Sequence, residues 1–255
     1  MDTLSIFIRI AAVIPGPNVA SLLLALRLSL TAGIGLWWEH WVPVLFPGYL
    51  LAKAFSQVFR RHAPLWMLWG FLTAPTIPAM VLLDRRPHPD WSSVRPILLW
   101  SNLFNPLMFP RPEEGLWLDG FLLVAAALLV PWPKSPSPPA ETGWMARRWI
   151  LDAMNWMTVF GAAVVFGQTF ATAFPSPVNV WLDPWTAHWL VPHLHWTGIF
   201  WLAWGGGWML GVPVWWRIRR QYGAQPAAQF AGLRVLQAGI ATILWYVGGP
   251  LLKLF

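Results

Sequence analysis

Hydrophobic residues along this 255-residue chain fall into long runs rather than alternation, and short basic or proline-rich breaks separate the runs. A helix that crosses a bilayer needs about 20 mostly apolar residues. The clearest run is Trp149 to Phe174, bounded by Arg147-Arg148 before it and Pro175-Ser176-Pro177 after it. Two others are as well marked: Pro192 to Trp216, closed by Arg217-Ile218-Arg219-Arg220, and Phe230 to Leu252. Pro64 to Leu83 and Leu116 to Val130 predict further spans, ending at Asp84-Arg85-Arg86 and Pro131-Trp132-Pro133. Pro96 to Phe109 is about two-thirds of a span and predicts a short or half-membrane helix. In residues 18–52, Arg27, Glu39 and His40 interrupt the apolar window. Either one span runs there from about Leu28 to Ala52, or two short broken ones share the stretch. The pattern as a whole predicts an all-α, polytopic transmembrane helix bundle of about 6–7 spans. At the start, Asp2 precedes Arg9 and Pro15-Gly16-Pro17 cuts the first apolar run short, so a retained span is expected rather than a cleaved signal peptide.

Composition agrees with that pattern. Charged residues make up 11% of the chain against 57% hydrophobic, whereas soluble domains carry about 25% charged residues. The 22 Trp suit membrane–water interfaces, where the ring is buried and its N–H stays wet. A net charge of +7 is the loop arginine excess of a membrane protein and not a nucleic-acid footprint. The bilayer and other membrane subunits are the expected partners, with no nucleic acid, and the expected location is the bacterial cytoplasmic (inner) membrane. Cys is absent, which excludes disulfides, thiolate metal sites and a Cys nucleophile.

Arginines orient the second half. Lys134, Arg147 and Arg148 precede one span, Arg217, Arg219, Arg220 and Arg234 lie between the last two, and residues 175–187 carry no Lys or Arg. Loops 131–148 and 217–229 are therefore expected inside and loop 175–187 outside. The Pro/Ser-rich segment 131–146 reads as an extended linker. It divides an N-terminal bundle, 1–130, from a C-terminal three-helix bundle, 147–255.

Candidate chemistry centres on histidines. His188, His193 and His195 cluster at the outer mouth of a helix that begins near Pro192. His193 and His195 are two apart and do not share a helix face. These imidazoles suit headgroups or loop carbonyls. In a sharper reading His195, with the small Gly198 one turn on and walls from Trp196 and Phe200, is an axial ligand to a flat macrocycle or to copper. Glu39-His40, inside Trp37-Trp38-Glu39-His40-Trp41, is either mid-membrane or at an aromatic belt, and the three Trp favour the belt. Asp119 and Asp152 are expected near helix ends, solvated or paired with loop Arg, and Arg234 near the start of the last helix, where it can snorkel. Gly207 and Gly211 form a GxxxG, a helix-packing signal. There is no Ser/His/Asp arrangement, phosphate-cradling glycine loop or HExxH, so no catalytic residue is assigned.

The last two runs resemble the CopD copper-resistance family of small membrane proteins. The likeness lies in His195 (or His193), Trp204, Gly205-Gly206, Arg217 to Arg220 and Phe230-Ala231-Gly232-Leu233, with a longer gap from His195 to Trp204 than in that family. The resemblance implies a membrane copper or haem role involving the histidine. Three functions follow as expectations. The first is an accessory integral-membrane subunit of a bioenergetic complex (respiratory or photosynthetic electron transfer) that contacts lipid, quinone or pigment. The second is a redox protein holding haem, copper or (bacterio)chlorophyll through His195, His188, His193 or His40. The third is a small-solute transporter, which places polar residues on broken helices at the midplane.

Overall fold

Prolines mark several helix starts and irregularities among the described residues, although Pro47, Pro96 and Pro213 lie inside helices. The computed structural model describes residues 19–56, 63–72, 76–84, 90–106, 111–133, 146–173, 199–200, 203 and 208–252. Among the described residues every regular element is helical. Helix α1 (Val19–Leu36) passes through one π-helical turn, Trp37–Trp41, straight into α2 (Val42–Ala54). Pro43 and Pro47 have no N–H, so the carbonyls of Glu39 and Pro43 lose their usual donors. A π-turn absorbs that mismatch by local widening.

The single span expected over Pro64–Leu83 is instead two short helices, α3 (Ala63–Leu72) and α4 (Thr76–Leu83). Pro75 disfavours helix at Ala74, and Pro78 falls in the first turn of α4, where a missing N–H leaves no bond unmade. The chain folds back on itself: a Cβ on Gly70 would stand 3.6 Å from the Pro78 ring. In one straight helix those residues would be about 12 Å apart.

Helix α5 (Trp91–Trp100) is ten residues long, about 15 Å. It ends where the Ser101 N–H bonds to the Ile97 carbonyl at 2.9 Å, and residues 102–105 run without regular structure. Asn105 precedes Pro106 and is steered away from helix. The short helix expected at Pro96–Phe109 thus starts earlier, and much of that stretch is irregular backbone.

Four longer helices frame these pieces: α6 (Pro112–Leu129), α7 (Ala146–Ala173), α8 (Trp208–Tyr222) and α9 (Ala224–Leu252). Pro112 starts α6, and Glu113 and Glu114 in its first turn complement the helix dipole. One residue, Gly223, reverses the chain between α8 and α9 with φ of +95°, a conformation open to a residue without Cβ.

Helix α7 lies along α1 and α2, α6 lies along α9, and α8 joins α7 to α9. One core gathers Tyr49, Trp66, Ile77, Leu82, Phe160 and Ile218, and a second gathers Leu103, Phe104, Leu118, Leu122, Ala203 and Ala238. The outward faces are apolar: Leu23, Leu28 and Ile34 on α1, Leu128 on α6, and Ile243 and Val247 on α9 are exposed. Lys53, Asp84, Asp119, Arg234 and Gln237 are buried. Large apolar side chains thus stand on the outer faces while several charged and amide side chains are inside with the apolar cores. Among the described residues one helix segment, Ala224–Gly248 of α9, is long and apolar enough to cross a membrane.

Candidate functional site

Among the described residues two polar centres lie between the helices, and each forms where a helix stops short. The first is just past α4. Asp84 Oδ2 accepts from the Tyr49 hydroxyl at 2.8 Å and from Trp156 Nε1 at 2.6 Å. Its Oδ1 accepts from Arg217 Nη2 at 2.7 Å. The same guanidinium lies over the Trp156 ring, and Gln221 donates to the Leu83 carbonyl at 2.7 Å. Lys53 and Asp152 are close enough to act electrostatically on the same cluster. Nearby, Trp91 donates to Gln229 at 3.2 Å and its ring packs on Tyr222. The Tyr222 phenol is pushed up to about 12 by burial and, secondarily, by the charge of Asp90. The cluster therefore ties α2, α7 and α8 to the end of α4, with Trp91 at the start of α5 and Gln229 near the start of α9 close by.

The second centre surrounds the end of α5. Irregular backbone in an apolar interior needs partners for its N–H and C=O groups, and side chains of α6 and α9 supply them. Asp119 Oδ1 accepts from the Phe104 N–H at 2.7 Å. Gln237 Nε2 donates to the carbonyls of Leu99 and Leu122, at 3.1 and 3.0 Å. Arg234 donates to the Ala203 carbonyl at 2.8 Å, to Gln237 Oε1, and to the Asn102 carboxamide oxygen turned towards it. Arg234 and Gln237 are three apart and share one face of α9. Among the described residues no carboxylate lies within ion-pair distance of Arg234.

The tips of the short helices converge here. Asn105 Nδ2 donates to the Leu72 carbonyl at the end of α3, at 3.1 Å. The missing side chain of Gly70 lets the Ser101 carbonyl oxygen come to 2.2 Å from where a Cβ would stand. Asp119 Oδ2, Ser101 Oγ, Thr76 Oγ1 and Trp100 Nε1 are buried with no hydrogen-bond partner among the described residues. Arg234 is ten residues into α9, about 15 Å from its start and near the middle of the apolar segment Ala224–Gly248.

Several expected positions are corrected. Arg234 does not snorkel: it is 3% exposed. The last helix begins at Ala224 rather than Phe230, which moves Arg234 about 9 Å further inside. Asp119 is neither solvated nor paired with a loop arginine, because its helix begins at Pro112 and turns the carboxylate onto the Phe104 amide. Glu39 sits exposed on the π-turn. His40 lies in that turn, and Gly211 lies half-buried in the first turn of α8. His188, His193, His195 and Gly207 lie outside the described residues. No group of three metal-binding side chains occurs among the described residues. The composition-based reading missed Asp84, Tyr49, Asn102 and Gln237. For Gln237 a signal was present: an Arg and a Gln three apart in an apolar run mark one polar stripe. No protein-family model, curated protein or solved structure matches the chain.

Proposed function

We propose that the chain is a polytopic integral membrane protein that acts as a small-solute transporter, with the solute taken up where α3, α4 and α5 meet. One observation carries this reading: Ser101 Oγ at the end of α5, Thr76 Oγ1 at the start of α4 and Asp119 Oδ2, whose other oxygen holds the Phe104 N–H, are buried with no partner among the described residues. Each unmet polar atom costs about 1–3 kcal/mol. Buried polar atoms left unmet in this way support an occupant offering both donors and acceptors. Helices broken at mid-depth, with polar side chains and free helix ends facing one another, are how membrane carriers build such sites. An accessory-subunit role rests on the apolar outward faces alone, which acyl chains cover as well as a partner does. A haem or copper role rests on His195, His188, His193 or His40, of which His40 alone lies among the described residues, in the π-turn.

Two measurements test the reading. The sequence has no Cys, so single cysteines report topology cleanly. Cys at Ser176 should react with an impermeant maleimide in intact cells, and Cys at Gln229 after lysis alone. Equal reaction at both sites would defeat the polytopic arrangement. For the solute, purified protein should be screened for stabilisation by amino acids, small carboxylates, sugars and inorganic ions, since a ligand of the native state raises the unfolding midpoint. At least one compound should stabilise the wild type, should lose that effect in Ser101→Ala and Thr76→Val, and should enter proteoliposomes containing the protein. A screen in which nothing stabilises and nothing enters would remove the transporter reading.

A further inference from the structure

We infer that Asp119 is a proton-binding site, and that a proton taken up on Oδ2 is the coupling ion of this centre. The role as coupling ion rests on the transporter reading; the proton site itself does not. Asp119 is 3% exposed, and its two oxygens are unequal. Oδ1 is held by the Phe104 N–H at 2.7 Å, while Oδ2 has no partner among the described residues. Asp84, the other buried carboxylate, is different: three donors engage its two oxygens. Asp84 is a structural tie. Asp119 has one oxygen committed and one without a partner among the described residues.

The neighbourhood offers a fixed charge against which a proton can be exchanged. The segment Asn102–Phe104 is tied at one end to Arg234, through the Asn102 carboxamide oxygen, and at the other to Asp119, through the Phe104 N–H. The guanidinium and the carboxylate are thus tied to the same short segment without forming an ion pair. With Asp119 ionised, the pair has no net charge. When an O–H bond forms on Oδ2, the centre holds one net positive charge, and release of the proton restores neutrality. Charged or titratable groups on the packed elements are Arg234 and Tyr246 of α9, Arg95 of α5, and Glu113 and Glu114 of α6 itself. Of these, Arg234 is the buried one. Residues 101–106 contribute none. The hydroxyls of Ser101 and Thr76, also without partners among the described residues, stand on the two helix tips of the same centre and suit a water that relays the proton.

The test uses the whole chain, purified and returned to liposomes. Infrared difference spectra between acid and alkaline pH should contain a protonated-carboxyl C=O band that is missing in Asp119→Asn. A second measurement needs no variant: dicyclohexylcarbodiimide adds to protonated carboxyls in apolar surroundings, and peptide mass mapping should place the adduct on Asp119. That labelling should fall about tenfold per pH unit above the titration midpoint, the slope of a single ionisation. If Asp119→Asn fails to fold, the carbodiimide arm decides. A titrating band unchanged by Asp119→Asn, or a map with no adduct on Asp119 at any pH, overturns the proposal. Solute uptake with an unlabelled Asp119 would leave the transporter reading standing and remove the proton site. A labelled, titrating Asp119 without uptake would do the opposite.

Discussion

Replacing Asp84 by Ala should destabilise the purified protein by about 3–5 kcal/mol, the usual cost of stranding one member of a buried ion pair. Asp84 is the common acceptor for Tyr49, Trp156 and Arg217, donors on three different helices. Its loss leaves a buried phenol, an indole N–H and a guanidinium without their acceptor at once. The arginine side chain is 23% exposed, so water can recover part of its share. The Tyr49 and Trp156 losses remain. Asp84→Asn should cost less, because the amide oxygen still accepts. The double replacement Asp84→Leu with Arg217→Met should recover the arginine's share alone, because the Tyr49 hydroxyl and the Trp156 N–H still lack their acceptor. Thermal and denaturant unfolding of detergent-solubilised protein read all three. An Asp84→Ala midpoint within error of the wild type would mean that the four side chains do not form one tie.

Gly70→Ala should also destabilise, and here the reason is space. The added methyl would stand 2.2 Å from the Ser101 carbonyl oxygen. That neighbour is backbone and cannot rotate away. Forcing atoms into a packed contact costs about 1–3 kcal/mol, occasionally more, which outweighs the gain of about 0.5–1 kcal/mol from replacing Gly by Ala in a helix. Gly120→Ala in α6 isolates that gain, because nothing lies within 4 Å of its added methyl. The two substitutions are the same chemistry with opposite expected signs. Stabilisation by a bound solute should fall in Gly70→Ala and persist in Gly120→Ala. Equal unfolding midpoints for the two variants would show that the tips of α3 and α5 are not in contact.

Long apolar runs were legible. The run Trp149 to Phe174 is matched by α7 to within a few residues, because hydropathy and helix length agree there. The last helix was read late, since Ala224-Gln225-Pro226-Ala227-Ala228-Gln229 is too polar for an apolar window although it holds good helix formers. Gly223 and the early Pro226 were the better boundary signals. Counting apolar residues also missed the fold-back between α3 and α4, because hydropathy is indifferent to the prolines at 75 and 78. The second polar centre was half visible. The Arg234 and Gln237 stripe stands in the sequence, but its partners Asn102 and the carbonyls of Leu99 and Leu122 lie more than a hundred residues away. No local pattern encodes that contact.

Helices α3, α4 and α5 are ten, eight and ten residues long, each too short to insert alone as a bilayer span. The Leu99 carbonyl waits for Gln237, 138 positions later in the chain. A ribosome needs on the order of ten seconds to cover that distance. Through that interval the α5 tip and Asn102 have no α9 to bind, so stable packing of the short helices is deferred until α9 has been made. A chain cut before α9 would offer proteases an open, polar seam. The arrival of α9 closes that seam.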